Sequence, residues 1–255
     1  MKRRVEMKTT VRFWVSVFIF VCMMYSCKPD KETRAQKISD IKEETAKSTQ
    51  ADETPSPSVE KKEEPVILET KSEAIPEEWK EITEKSGMVL DIKYADDDNF
   101  TKKQIYDCGR CFLRPEAVSA ISKVRKELQD SFGYNLKLFD CFRPQPYQQR
   151  LWDAVPNPDY VTPPAKGSMH SRGLAVDLTV IDDSGDELDM GTPYDHLGKE
   201  AHTDYKGHAP QVYKNREILR KAMEKYGFKG IRTEWWHYSY RGKSYPLDAW
   251  VWPCK

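Results

Sequence analysis

The chain has 255 residues, with 41 basic and 41 acidic side chains and a formal net charge of zero. That balance, with no basic stripe interleaved with aromatics, excludes the electrostatic footprint of a nucleic-acid-binding protein. The length allows one or two domains, but apolar residues are spread so unevenly that only part of the chain can form a core.

Lys2, Arg3, Arg4, Lys8 and Arg12 precede an apolar stretch from Phe13 to about Tyr25, too short to span a bilayer as a mature helix. This reads as an export signal over residues 1–27, closed by Ser26 and Cys27. A small residue before a cysteine resembles a bacterial lipobox, in which Cys27 is lipidated after cleavage and tethers the exported protein to a membrane. Met24 and Tyr25 are less usual at the preceding positions, and an uncleaved membrane anchor is the competing reading. Residues 28–74 carry Lys, Glu, Asp, Thr, Ser and Pro with almost no apolar residue. Such a segment cannot bury enough surface to offset its ordering entropy, which predicts a disordered spacer.

The foldable part is residues 75–255, a normal size for one domain. Met88–Tyr94 alternates apolar and polar residues after Leu90, which suits a half-buried strand. Pro115–Phe132 reads as a helix, with proline at its start, Gly133 past its end and Ala117, Ile121, Val124 and Leu128 as its buried stripe. A short strand is expected over Asn135–Asp140, a second helix over Gln145–Val155, and a proline-rich loop over Pro156–Gly167. Leu174–Ile181 reads as a strand, followed by a hairpin-type turn at Asp182–Asp186. A helix over Asn215–Tyr226, stopped by Gly227, and an aromatic strand over Glu234–Arg241 complete the domain. The irregular alternation predicts an α+β fold, a small antiparallel sheet flanked by helices.

Four cysteines fall in this part: Cys108, Cys111, Cys141 and Cys254. In an exported domain they predict two disulfides, with three connectivities open. The rival is a structural zinc site built from Cys108-x-x-Cys111 and the distant pair. All five histidines lie between His170 and His237. His196, His202 and His208 are expected in surface loops, with His202 a candidate neighbour of a metal site. Asp182, Asp183 and Asp186 are read as turn residues rather than a calcium loop.

His170 stands apart because Asp177 follows on a strand whose alternation is legible. Leu174, Val176 and Leu178 share one face; Ala175, Asp177 and Thr179 share the other. Buried and unpaired, Asp177 would cost on the order of several kcal/mol, which a bound metal removes. Gly173 lets the backbone turn so that His170 can meet Asp177. Glu234 and His237 are three apart and would point to opposite faces of a regular strand, so both reach one site only if the backbone bends. His237 is therefore expected as a ligand and Glu234 as a base at the strand entrance. Two imidazoles and a carboxylate favour zinc, with iron, nickel or cobalt still open.

Ser168-x-His170-x-x-Gly173-x-Ala175-x-Asp177, followed by Glu234-x-Trp236-His237, resembles the zinc D,D-peptidases, and most closely the VanX-type D-alanyl-D-alanine dipeptidases. Asn99-Phe100-Thr101, Phe142-Arg143-Pro144 and Met190–Asp195 join the match, which covers about Ile75 to the C-terminus and not the tether. The resemblance implies the hedgehog/DD-peptidase-like fold, one zinc held by His170, Asp177 and His237, and Glu234 as catalytic base. It implies that Arg143 steadies the tetrahedral intermediate, and that Ser168 and Asp195 lie near the substrate's free amine. Zinc lowers the pKa of water toward ~7, so that Glu234 can take its proton near neutrality. The competing roles are a structural ion pair for Arg143 and a loop cap for Asp195. The resulting expectation is a lipid-tethered, exported zinc dipeptidase acting on D-Ala-D-Ala, in wall turnover or salvage rather than resistance. A D,D-carboxypeptidase or endopeptidase is the alternative, and the oligomeric state is left open.

Overall fold

The computed structural model describes residues 74–254; the segments expected as export signal, lipidated Cys27 and disordered spacer lie outside them, but for residue 74. The centre of the domain is β5, Ala175–Ile181, buried on both faces along its whole length. It lies between β4, Asn135–Asp140, and β7, His237–Tyr240, both antiparallel to it. The five-stranded sheet is completed by β2, Val89–Leu90, beside β4, and β6, Phe228–Gly230, beside β7. A separate antiparallel pair joins β1, Lys80–Ile82, to β3, Cys111–Leu113.

Three helices accompany the sheets: α1, Pro115–Phe132; α2, Gln145–Ala154; and α3, Pro210–Lys225. The predicted α1 stripe is buried with Leu136 and Leu138 of β4, Val176, Leu178 and Val180 of β5, and Leu219 and Met223 of α3 in one apolar cluster. Each buried Val, Leu, Ile or Met among them contributes about 1.5–3 kcal/mol, and together they pack the sheet with α1 and α3.

The α+β class holds, with four departures from the expected elements. The sheet is not wholly antiparallel, because β2 runs parallel to β4. Its connection passes through β3 and α1, a crossover that returns the chain in the same direction. The strand expected over Met88–Tyr94 keeps only two residues, since Lys93–Ala95 turns into a 3-10 helix whose Tyr94 carbonyl accepts the Ile105 and Tyr106 amides. Helix α3 starts at Pro210, not Asn215, proline serving as its first-turn residue and Val212 adding to the buried face. Finally, β7 begins at His237, leaving Glu234–Trp236 outside regular structure. The short β1, β3 and β6 carry too few residues for a periodicity to register.

Disulfides join Cys108 to Cys254 and Cys111 to Cys141, so the cysteines form no zinc site. Closing loops of 146 and 30 residues removes entropy from the unfolded chain, on the order of 3–5 kcal/mol each. Among the described residues no helix is long and apolar enough to cross a membrane.

Candidate active site

Register brings the site together. Across β4, β5 and β7, Asp140 pairs with Asp177 and Asp177 with His237. Directly opposed residues share a face, so the three side chains stand abreast on one side of the sheet. Asp140 reaches that row only because the register of β4 shifts between Leu138 and Asp140; a regular strand would put Phe139 opposite Asp177. His170 arrives from a 3-10 turn, His170–Arg172, closed by Gly173 at φ 71°. A side chain at Gly173 would collide with the Trp79 ring, so both conformation and space require glycine there.

His170 Nε2, Asp177 Oδ1 and His237 Nδ1 converge at 3.0–3.3 Å from one another, all in buried residues. His170 Nδ1 donates to the Cys141 carbonyl at 2.7 Å, which leaves Nε2 of a neutral ring as a lone pair. His237 Nε2 meets Ser239 Oγ at 3.0 Å; with Ser239 accepting, His237 Nδ1 is likewise a lone pair. With both rings in that state, three lone pairs face one another in a buried place and repel unless a cation lies between them. Without a metal, a proton shared with Asp177 can serve; against burial, which lowers it, Asp177 and Asp140 raise the His170 pKa. The spacing of the three atoms is close to the ~3.3 Å edge of a tetrahedron with ligand distances of about 2.0–2.1 Å. The residues therefore fit a divalent metal, which His170, Asp177 and His237 would hold at the cavity wall. The outer Asp177 oxygen accepts from Tyr194 Oη at 3.2 Å, which holds the carboxylate to a single inward oxygen. Among the described residues this is the one His/Cys/Asp/Glu group with metal-binding geometry.

Glu234 stands beside this trio but outside it, with Oε2 3.8 Å from His237 Nδ1. Because β7 starts only at His237, Glu234 is free of strand alternation, and two residues three apart reach one place. The side chain is about two-thirds buried, at 33% exposure. Burial pushes its pKa above the ordinary glutamate value; His237 opposes the shift and Asp177 adds to it.

Arg143 is both a cavity wall and half of an ion pair, so the two readings of it coexist. Nε and Nη2 donate to Asp140 Oδ2 at 3.1 and 2.6 Å, and Nη1 donates to Gln148 Oε1 at 3.2 Å. The guanidinium also lies over the Tyr94 ring, 5.0 Å from its centroid. Three of its five N–H groups are thus used, and two remain. Asp140 is fully buried and also accepts from Tyr106 Oη at 2.6 Å and the Cys141 amide at 2.9 Å. Burial works against the charge on Arg143, but Asp140 and the surrounding tyrosine hydroxyls outweigh it, holding its pKa well above the usual arginine value.

Ser168 and Asp195 both line the same cavity, of about 360 Å³. Ser168 Oγ accepts the His170 amide at 3.2 Å. Asp195 is a non-glycine residue at φ 59°, a left-handed conformation that costs on the order of 1–2 kcal/mol. The loop that imposes it is held from below. Arg216 of α3 donates to the carbonyls of Met190, Glu200 and His202, and Trp235 Nε1 donates to Thr192. Asp195 Oδ1 receives Tyr94 Oη at 3.4 Å, while Oδ2 is shielded and accepts no hydrogen bond among the described residues. Burial, with Asp177 nearby, raises the Asp195 pKa well above the usual carboxylate range, against the lowering effect of Arg143 and the Tyr94 hydroxyl.

His196 pairs with Glu200, His208 with the Glu200 carbonyl, and His202 with Arg232, so His202 does not brace the histidine–aspartate trio. Asp182 Oδ1 accepts the Ser184 and Asp186 amides, a turn as expected. Sequence reasoning missed Asp140, Tyr94, Tyr194, Gln148 and the Cys141 carbonyl. Asp140 three residues before Arg143 was a usable sign of an ion pair; the others depend on tertiary contacts.

Residues 79–251 match the sequence profile of the peptidase family described as D-ala-D-ala dipeptidase. A D-alanyl-D-alanine dipeptidase of Escherichia coli (strain K12) is 42% identical over 161 residues, covering 63% of this chain and 83% of that protein. Proteins of the same name from Enterococcus faecium and Enterococcus faecalis (strain ATCC 700802 / V583) are 34% and 32% identical, covering 66% and 63% of this chain and 94% and 89% of theirs. With the profile spanning most of the chain, and the trio, the flanking glutamate and the arginine inside it, the protein belongs to the D-ala-D-ala dipeptidase family of peptidases.

Proposed function

We propose that this chain is a zinc-dependent dipeptidase that hydrolyses D-alanyl-D-alanine on the hedgehog/DD-peptidase-like fold. Its ligands are His170, Asp177 and His237, Glu234 carries the proton, and Arg143 receives the developing negative charge. The observation that carries this reading is the convergence of two imidazole nitrogens and one carboxylate oxygen at 3.0–3.3 Å beside the partly buried carboxylate of Glu234. Zinc, when bound, supplies Lewis acidity toward water and the peptide carbonyl. Glu234 takes the proton from the attacking water and returns it to the leaving amine. Arg143, fixed by Asp140 and Gln148, directs its two remaining N–H groups at the oxyanion without reorganisation. Asp195, which lines the cavity together with Ser168, supplies the negative charge for the substrate's free ammonium.

A free amine on the substrate is what separates the dipeptidase from a carboxypeptidase or endopeptidase. Zinc-loaded protein is expected to cleave D-Ala-D-Ala, and to leave L-Ala-L-Ala and N-acylated D-Ala-D-Ala intact. Cleavage of the acylated peptide alone would replace this reading with the carboxypeptidase. Asp195→Asn should raise KM by about 10–100-fold with a smaller change in kcat, the worth of one hydrogen bond to a charged group. Since the folded protein raises the Asp195 pKa, its buried charge costs stability at neutral pH, and the cost vanishes as pH falls. The same substitution should therefore raise the melting temperature of metal-free protein at pH 7, and thermal denaturation checks it.

We infer an exported, lipid-anchored protein, with Cys27 as the lipid acceptor, working on dipeptides released in wall turnover. The signal-like N-terminus and two disulfides support this placement. A Cys27→Ser chain that still partitions with membranes after high-salt washing would contradict the lipid anchor.

A further inference from the structure

The Cys111–Cys141 disulfide lies directly behind the catalytic machinery, whereas Cys108–Cys254 secures the C-terminal tail. Residue 141 is a junction. Its amide donates to Asp140 Oδ1 at 2.9 Å, and Asp140 Oδ2 holds Arg143. Its carbonyl accepts His170 Nδ1 at 2.7 Å, setting the tautomer that turns Nε2 toward the other two donors. Strand β4 ends at Asp140 and α2 begins at Gln145, so the stretch between them has no ladder of its own. It is fixed by the disulfide and by backbone bonds from Phe142 N to Phe112 O and from Arg143 N to His170 O, together with the Arg143 side-chain bonds and the Phe142 ring stacked on Trp79 at 3.8 Å. The first two both lead to β3. The residue after β3, Arg114, donates its amide to the Gly173 carbonyl and its Nε to the Arg172 carbonyl. Strand β3 is thus a strut with the arginine segment bolted to one end and the His170 turn to the other.

Resting on the proposed roles of Arg143 and His170, we propose that the Cys111–Cys141 bridge is a positioning element of the active site. Opening it lets the Cys141 peptide shift, which releases the His170 ring and the Asp140–Arg143 pair together. Full turnover and tight zinc binding then require an oxidised chain, which ties the activity to an oxidising compartment. The tail disulfide contributes to fold stability without this effect, and Asp195, on a separate loop, keeps its hold on the substrate amine.

The test compares full-length C111S/C141S, its second version C111A/C141A, and C108S/C254S with the wild type. Folding is checked by circular dichroism, zinc affinity by competition with a chromophoric chelator, and kcat and KM with D-Ala-D-Ala. Folded C111S/C141S or C111A/C141A is expected to lose about 10–100-fold in zinc affinity, the usual cost of disturbing a ligand's outer partner. A kcat loss of similar order, at nearly unchanged KM, is expected from misplacing Arg143. C108S/C254S should melt earlier yet keep both values within about twofold. Zinc affinity and kcat unchanged in a folded Cys111/Cys141 variant would overturn the proposal. So would failure of both such variants to fold while C108S/C254S folds, since that assigns the bridge to the fold alone. If the wild type itself leaves D-Ala-D-Ala intact, the substrate reading fails, and the zinc affinities still decide the positioning role.

Discussion

Glu234→Gln is expected to lower kcat on the order of 10²–10⁴-fold while the protein still binds one zinc, because proton transfer is lost and no ligand is removed. The amide fills the same space beside His237, so a fold defect would not explain the loss. The pH profile offers a second check. In wild type kcat/KM should fall as pH drops through the Glu234 pKa of the zinc-loaded protein, where burial raises that pKa and the neighbouring zinc opposes the rise. Glu234→Gln should abolish this acid limb. Stability runs the opposite way. A carboxylate whose folded pKa is raised is least costly when protonated, so metal-free Glu234→Gln should melt higher than wild type at pH 7. Loss of zinc binding in Glu234→Gln would move Glu234 from proton carrier to ligand.

Arg143→Ala should cost about 10²–10³-fold in kcat, the usual consequence of removing a fixed donor from a developing oxyanion. It should also destabilise the protein by about 3–5 kcal/mol, since it strands the fully buried Asp140 without its cation. The two effects are separable. Combining Arg143→Ala with Asp140→Asn should recover much of the stability and none of the turnover, as urea denaturation and steady-state kinetics would show. Recovery of both would reduce Arg143 to a structural ion pair.

Why the trio was legible in the sequence and its supports were not has a physical basis. His170, Gly173 and Asp177 sit within one turn and the strand it feeds, so local spacing carried the geometry. Glu234 and His237 were readable only as a conditional, a bend or opposite faces, and the late start of β7 supplied the bend. The shift that swings Asp140 into line is a property of pairing between β4 and β5, and residues 135–140 read as an ordinary strand without it. Tyr94, Tyr106 and Tyr194 each cap a carboxylate of the site from distant parts of the chain. Nothing local in the sequence marks that role, and Tyr94 and Tyr106 are also buried members of the core. Helix α1 was placed to the residue because proline and glycine punctuate it, whereas the two-residue β2 and the three-residue β1, β3 and β6 left no period to detect.

In the proposed mechanism His170, Asp177 and His237 jointly hold the zinc on which dipeptide cleavage depends. Chelator-stripped protein titrated with zinc, followed by D-Ala-D-Ala turnover and metal content, tests it most directly. Turnover should be absent without metal and reach its plateau at one zinc per chain, and His237→Ala should neither retain zinc nor turn over. Full turnover by stripped protein, or undiminished zinc binding by a chain with all three residues replaced by alanine, would contradict it.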